Sequence, residues 1–243
     1  MTELRDLRNY FIFDGVPSTD FEVFCNGKDT FSAPSASIDR ITVPGKSGDL
    51  LRFNNRYDNI EVSYDSWIAD DMRLNLRALR SYLLSKTTYC RLEDTYHPDE
   101  YRMGVYSGGL EATASFENQV ANFTLKFNCK PQRYLKDGEI PIILTGGSIL
   151  LKNPSYLSST PTIRIRGNGT LVIGSFTITV KNNSGRYIDM DCELMDAHTG
   201  AINRNSDVTT NTDSFITIPP GQTWVTKDST ITSVEIIPRW YFL

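Results

Sequence analysis

The sequence predicts a mainly β chain of two sandwich domains, the first carrying one amphipathic helix and a hairpin. Three features carry that expectation. Short stretches of alternating apolar and polar residues recur along the chain, rich in β-branched and aromatic types and separated by turn formers. Only one segment has a helical period. Turn-forming pairs crowd residues 136–161, where the composition shifts.

The elements follow in order. Phe11-Ile12-Phe13 and Phe21-Glu22-Val23-Phe24 read as the first strands, parted by Asp14-Gly15 and Pro17-Ser18. Residues 37–43 alternate as another strand and stop at Pro44-Gly45, and Ile60-Glu61-Val62-Ser63-Tyr64 is a fourth. A helix is expected over about residues 70–85. Asp70 or Asp71 is placed to cap it, because a carboxylate there can accept from the unpaired N–H groups of the first turn. Met72, Leu76, Leu79 and Leu83 fall on one apolar stripe, while Arg73, Arg77 and Arg80 share a neighbouring face. The helix should lie on a sheet and show its arginines outward. Residues 88–92 and 115–127 resume the strands, with Val120, Phe123, Leu125 and Phe127 apolar. Pro131 cannot donate to a ladder, so residues 129–134 should end the run or mark an edge.

The domain boundary is placed near residue 135. Residues 1–135 form the first domain and 136–243 the second, with 136–161 as linker and first strand. Beyond Thr162 the alternation is nearly continuous: Ile163 and Ile165, Leu171 and Ile173, then Phe176, Ile178 and Val180, around Gly167-Asn168-Gly169 and Gly174-Ser175. Ile188, Met190, Cys192 and Leu194 repeat it, and Phe215-Ile216-Thr217-Ile218 leads into Pro219-Pro220-Gly221. Short strands at this spacing indicate a jelly-roll sandwich. At the end, residues 231–237 alternate before Pro238-Arg239-Trp240-Tyr241-Phe242-Leu243. Such an apolar terminus needs cover, and docking as a strand supplies it.

Composition narrows the function. A chain of 243 residues with 40% hydrophobic content can bury about 70–75% of its unfolded surface, so it has its own core. The formal net charge of −4 argues against a nucleic-acid partner, which needs a basic face. The longest apolar run, Ile140-Pro141-Ile142-Ile143-Leu144, is too short to insert in a membrane. The first eight residues are charged and lack the apolar stretch of a secretory signal. Cys25, Cys90, Cys129 and Cys192 are scattered singly, as reduced, mostly buried thiols would be.

No catalytic constellation stands out. Gly45-Lys46-Ser47 has the last residues of a phosphate loop, but Arg40 occupies the place of its first glycine, so a hairpin tip fits better. His97 and His198 lack second ligands at zinc spacing. Glu93, Asp94, Asp99 and Glu100 cluster around His97 without calcium-loop spacing and read as a solvated loop. No serine sits in a G-x-S-x-G elbow. Asn168-Gly169-Thr170 and Asn182-Asn183-Ser184 read as turns. No cofactor or metal is expected, and no enzymatic activity. Trp67, Trp224 and Trp240 could stack on sugars, although aromatic residues in a sandwich more often fill the core.

Several segments in order carry a family resemblance: the Phe-rich start; Val43-Pro44-Gly45-Lys46-Ser47-Gly48-Asp49-Leu50; the helix; residues 89–98; residues 127–134; Asn153-Pro154; Thr160-Pro161-Thr162-Ile163; and Pro238-Arg239-Trp240. Together they resemble the distal tail proteins (Dit) of long-tailed phages and prophages of Gram-positive bacteria. The resemblance implies an N-terminal β-sandwich with a helix and hairpin arm, and a galectin-like C-terminal sandwich. It implies a homohexameric ring at the virion tail tip, assembled in the bacterial cytoplasm. That ring would join the tail tube and tape measure proteins to a tail-associated lysin or baseplate protein. Val43, Pro44, Gly45, Lys46, Ser47, Gly48, Asp49 and Leu50, with their flanking strands, are the first candidate inter-subunit contact. Arg73, Arg77 and Arg80 are the second. Two alternatives remain: a non-catalytic module recognising cell-wall polysaccharide, and a glycosidase using the carboxylates near His97.

Overall fold

The computed structural model describes residues 8–68, 70–115, 120–182, 185–214 and 216–243. Phe116, Asn183, Ser184, Phe215 and the charged N-terminal residues 1–7, all used in the sequence reading, lie outside the described residues. The chain divides into two compact units, residues up to 133 and residues 134–242.

The first unit contains β1 (Phe11–Phe13), β2 (Val16–Pro17), β3 (Val23–Asn26), β4 (Ala36–Ile41), β5 (Leu50–Tyr57), β6 (Ile60–Ile68), α1 (Met72–Ser85), β7 (Cys90–Asp94), β8 (Glu100–Tyr106), β9 (Thr113–Ser115) and most of β10 (Val120–Leu135). Its main sheet has the order β2-β1-β7-β8-β10-β6-β3, with β9 also on β10. Strict alternation on β6 and β10 sends Val62, Tyr64, Ile68, Phe123, Leu125 and Phe127 to one face. There they meet Phe11, Phe13 and the helix residues Leu76, Leu79 and Leu83 in one cluster. Phe127 is the middle of an aromatic group, with ring centroids 5.1 Å from Phe13, 5.7 Å from Phe11, 5.8 Å from Tyr106 and 5.9 Å from Tyr64.

Local details depart from the sequence reading. The strand expected from Phe21 is β3 and starts at Val23, because Ser18–Phe21 forms a 3-10 turn and Glu22 adopts a left-handed φ of 52°. Neither aspartate caps α1 with its side chain. The Asp71 carbonyl instead accepts from the Leu74 and Asn75 N–H groups, and the Asn75 amide donates to the Asp70 carbonyl. Pro131 does not end its strand, which continues to Leu135. The pairing of β10 with β6 stops at Cys129↔Ile60, so Pro131 falls beyond that ladder. Leu194 is not part of an alternating strand; it lies in a turn, 74% exposed.

The second unit contains β11 (Ile142–Leu144), β12 (Ser148–Asn153), β13 (Thr162–Gly167), β14 (Gly169–Ile173), β15 (Phe176–Val180), β16 (Tyr187–Asp191), β17 (Asp196–Thr199), β18 (Ile202–Asn203), β19 (Val208–Thr210), β20 (Gly221–Lys227), β21 (Ile231–Ile237) and β22 (Tyr241–Phe242). Two sheets, β11-β21-β13-β16-β17-β18 and β12-β20-β14-β15-β19, make a sandwich. Their inward residues, among them Ile163, Ile188, Val234, Leu171, Ile178 and Val225, form one core. The turn-rich residues after 136 thus punctuate strands of these sheets. The terminus is tied down: Trp240 is buried, its carbonyl accepts the Leu135 N–H at 2.9 Å, and the Gly138 carbonyl accepts the Arg239 N–H at 2.9 Å.

Two predictions follow from this packing. A Cβ on Gly138 would lie 2.6 Å from the Trp240 nitrogen. Gly138→Ala should therefore lose about 1–3 kcal/mol. Gly146→Ala, where nothing lies within 4 Å of the added carbon, should change stability by no more than about 0.5 kcal/mol. Urea unfolding of both variants checks the contrast. Burial also pushes the Cys25, Cys129 and Cys192 thiols from 9.0 up to about 12, and Tyr134 from 10.0 up to about 12. Over that interval the unfolded chain releases protons that the folded chain retains. Stability should be complete below about pH 9 and fall steadily toward pH 12, as thermal melts across that range will show.

Candidate functional site

Among the described residues, β4 and β5 pair only with each other. Their register sets Ile38 opposite Phe53, Asp39 opposite Arg52, Arg40 opposite Leu51, and Ile41 opposite Leu50, with an irregularity nearer the root. Directly paired residues share a face. One face of the arm therefore carries Ile38, Phe53, Arg40 and Leu51, and the other carries Asp39, Arg52, Ile41 and Leu50. Leu51 is 68% exposed, and Ile38, Ile41, Leu50 and Phe53 are between 42% and 49% exposed. Both faces of the arm thus present large apolar side chains to solvent.

Residues 42–49 form the tip. Gly45 and Gly48 have φ of 78° and 84°, left-handed values that suit glycine. The Lys46 N–H donates to the Val43 carbonyl at 3.1 Å, and the Thr42 hydroxyl to Asp49 at 3.1 Å. Val43 is half-buried, while Pro44, Gly45, Lys46, Ser47, Gly48, Asp49 and Leu50 are exposed.

The root is held by a polar cluster that is buried at Arg102 and Thr30 and half-buried at Arg133 and Glu100. The Arg133 guanidinium donates to the Thr30 carbonyl and pairs with Glu100 at 3.3 Å. Arg102, nearly buried, donates to the Ser32 carbonyl at 3.4 Å. Burial, then the neighbouring Arg133 charge, lowers the Arg102 pKa. The Asp58 N–H closes the base of the arm on the Ser35 carbonyl at 2.9 Å. Nearby, Asp94 accepts the Tyr64 hydroxyl at 2.8 Å and the Tyr96 and His97 N–H groups at 2.9 and 2.8 Å, and its Oδ1 lies 3.0 Å from His97 Nδ1. Burial, reinforced by the Asp94 charge, raises the Tyr64 pKa.

The acidic run around His97 is therefore only in part a solvated loop: Asp99 is exposed, whereas Glu93, Asp94 and Glu100 are half-buried. The Asp94 side chain is only 8% exposed, Glu93 pairs with Arg91 at 2.5 Å, and Glu100 pairs with Arg133. Local partners (Arg91, Tyr96 and His97) and nonlocal ones (Tyr64 for Asp94, Arg133 for Glu100) cover these three charges, so the cluster positions backbone.

Arg73, Arg77 and Arg80 are all exposed on α1, with no ion pair among the described residues. Leu74 and Leu84 share the helix surface, 62% and 68% exposed. Nothing in the residue order marks these leucines, or distinguishes the exposed Ile38, Ile41, Leu51 and Phe53 from ordinary half-buried strand residues. Of the three tryptophans, Trp240 is buried, Trp67 is half-buried beside Phe24, and Trp224 is 61% exposed.

Arg133→Ala should free the Thr30 carbonyl and loosen the arm root by about 1.5–3 kcal/mol, the worth of a hydrogen bond to a charged group. Hydrogen exchange at the Asp58 amide should accelerate accordingly, while exchange at Phe127 in the core stays slow.

No family model matches this chain, and no curated protein matches it in sequence. Solved structures do match. The Dit protein of phage SPP1, described as a paradigm of the hub adsorption apparatus in phages infecting Gram-positive bacteria, superposes with a TM-score of 0.66 and 18% identity over 97% of this chain and 99% of that one. A chain of the phage P2 baseplate in its activated conformation with calcium gives 0.55 and 11%, over 95% of this chain and 97% of that one. The same baseplate with strontium gives 0.53 and 11%, again over 95% and 97%. The fold of this chain is thus the fold of a Dit-type hub protein of phage tails.

Proposed function

We propose that this chain is a structural hub of a phage tail tip. Six copies close a ring, with the β4–β5 arm of each lying on its neighbour. The ring joins the tail tube and tape measure proteins to a tail-associated lysin or baseplate protein. The role is mechanical, with no catalysis and no cofactor, and it is carried out at the virion tail tip after assembly in the bacterial cytoplasm. The arm is the observation that carries this reading, and the likeness to SPP1 Dit over nearly the whole chain supports it.

An isolated two-stranded hairpin is marginal in water. This one exposes apolar residues on both faces, which its own sheet and core leave uncovered. Completing the burial of its five large apolar side chains would contribute on the order of 5 kcal/mol per interface. Association of two free bodies costs about 4–15 kcal/mol, so one such contact is marginal. A ring changes that balance, because the closing contact adds an interface without immobilising another free body. Arg73, Arg77 and Arg80, with Leu74 and Leu84 beside them, form a second, weaker contact surface in this scheme.

The test is the assembled mass. Light scattering after size exclusion, on the protein alone and with the tail-tube and lysin partners, should give six times the chain mass in at least one of these states. Leu51→Asp with Phe53→Asp should return it to a folded monomer. Charge reversal at all three arginines should weaken the ring. A ring that survives the arm substitutions intact would remove the arm from the interface, and one that survives the reversals would remove the helix.

A further inference from the structure

Strand register builds a groove on the outward face of the first unit's main sheet. Trp67 on β6 stands opposite Asn122 on β10, and Asn122 opposite Thr113 on β9. Two residues along β6, Asp65 stands between Asn26 on β3 and Thr124 on β10. Directly paired residues share a face, so these two rows form the floor. Gly109 and Glu111, from the connection between β8 and β9, line it as well, and the groove holds about 760 Å³.

The groove is acidic around one aromatic side chain. Trp67 is half-buried, its ring centroid 6.3 Å from that of Phe24. Asp65 accepts the Thr124 hydroxyl at 2.9 Å, and the cation of the lining, Lys126, is taken up by Glu61 at 2.9 Å. Glu111 is exposed and has no ion pair among the described residues. The arm has the opposite balance. Arg40, Lys46 and Arg52 are exposed and make no ion pair among the described residues. The two faces of the arm differ. Arg52 stands opposite Asp39, which offsets it, whereas Arg40 stands opposite Leu51. The face bearing Ile38, Phe53, Arg40 and Leu51 is therefore apolar with one uncompensated cation.

We infer that this groove is the seat of a neighbouring copy's arm. The inference rests on the ring reading above. A ring contact needs two different surfaces on every chain; the arm is one, and the groove supplies the other. Phe53 and Leu51 lie on Trp67, a residue type that anchors interfaces, while Arg40 meets Glu111 and Asp65. The outer edges of β4 and β5 carry backbone N–H and C=O groups that no strand among the described residues pairs. The exposed amides of Asn26 and Asn122 both donate and accept, so they can bond to such an edge. The helix α1 is the poorer seat, because Arg73, Arg77 and Arg80 repel the arm's cations. It stays a separate contact.

Leu51 and Asn122 are exposed, one on each surface. Leu51→Cys and Asn122→Cys, carried together on the full-length chain, are treated with a short bismaleimide linker in whichever state gives six times the chain mass. Copies should join into a covalent ladder from dimer to hexamer. Each single substitution, with the native cysteines kept, should give none. In the same state, Glu111→Arg and Arg40→Glu should each raise the concentration needed for half-assembly about tenfold. The two together should return it to within about threefold of the parent. A ring that gives no ladder, or whose combined charge reversal assembles no better than the single ones, overturns the groove as the seat and leaves the ring standing. A parent protein without sixfold mass in every state overturns the ring reading, and this inference with it. Where a charge variant loses its fold by circular dichroism, the ladder alone decides.

Discussion

Among the described residues nothing completes the cover of the arm's apolar side chains, and that constraint shapes the first unit. Ile38, Ile41, Leu50, Leu51 and Phe53 would be aggregation-prone on a loose hairpin, since exposed strand edges with apolar side chains pair readily. The protein holds the hairpin at its root by a buried Arg102 and a half-buried Arg133, whose guanidinium groups bond to the Ser32 and Thr30 carbonyls. These arginines come from β8 and β10, two neighbouring strands of the main sheet. Phe127 lies on β10 as well, so the strand that fills the core also carries a residue that fixes the arm. A stiff support lets an apolar protrusion meet one partner in one geometry, because the ordering entropy is lost at folding and not again at assembly.

Much of this architecture was legible in residue order. Leu76, Leu79 and Leu83 were bound to face a core by their spacing, and Ile163, Ile165, Ile188 and Met190 by theirs. The tip at Gly45 and Gly48 was legible because few other residues adopt left-handed φ without strain. Burial itself was not legible. Ile38 and Ile41 sit in an alternating strand much like Val62 and Tyr64, yet one strand is solvated on both faces and the other fills the core. Period two reports that a strand has two sides, and only tertiary neighbours decide what covers each. Asp94 makes the complementary point. A carboxylate in an acidic run looks solvated until Tyr64, 30 residues away in sequence, brings its hydroxyl to it.

The second unit shows the same limit on its polar side. Glu235, Arg164, Asp189 and His198 are scattered in sequence, and only the strand order places them in one row. Each alone is an ordinary outward residue of a half-buried strand. Their alternating signs across β21, β13 and β16 stabilise the sheet as cross-strand pairs do, and that accounts for Arg164 and Asp189.

The relation to SPP1 Dit sharpens the distinction between what folding needs and what it does not. At 18% identity the two chains share a fold over nearly their full lengths. Cores tolerate wholesale exchange of apolar residues when volume and pattern persist, so a common architecture at this distance requires period and register more than particular side chains. Leu51 satisfies no such requirement. Nothing in the core of either unit includes it, and a polar residue there would pair across β4 and β5 equally well. An apolar side chain that folding could do without, set on an arm whose root is held by Arg102 and Arg133, is better explained by a surface outside the chain than by any need within it.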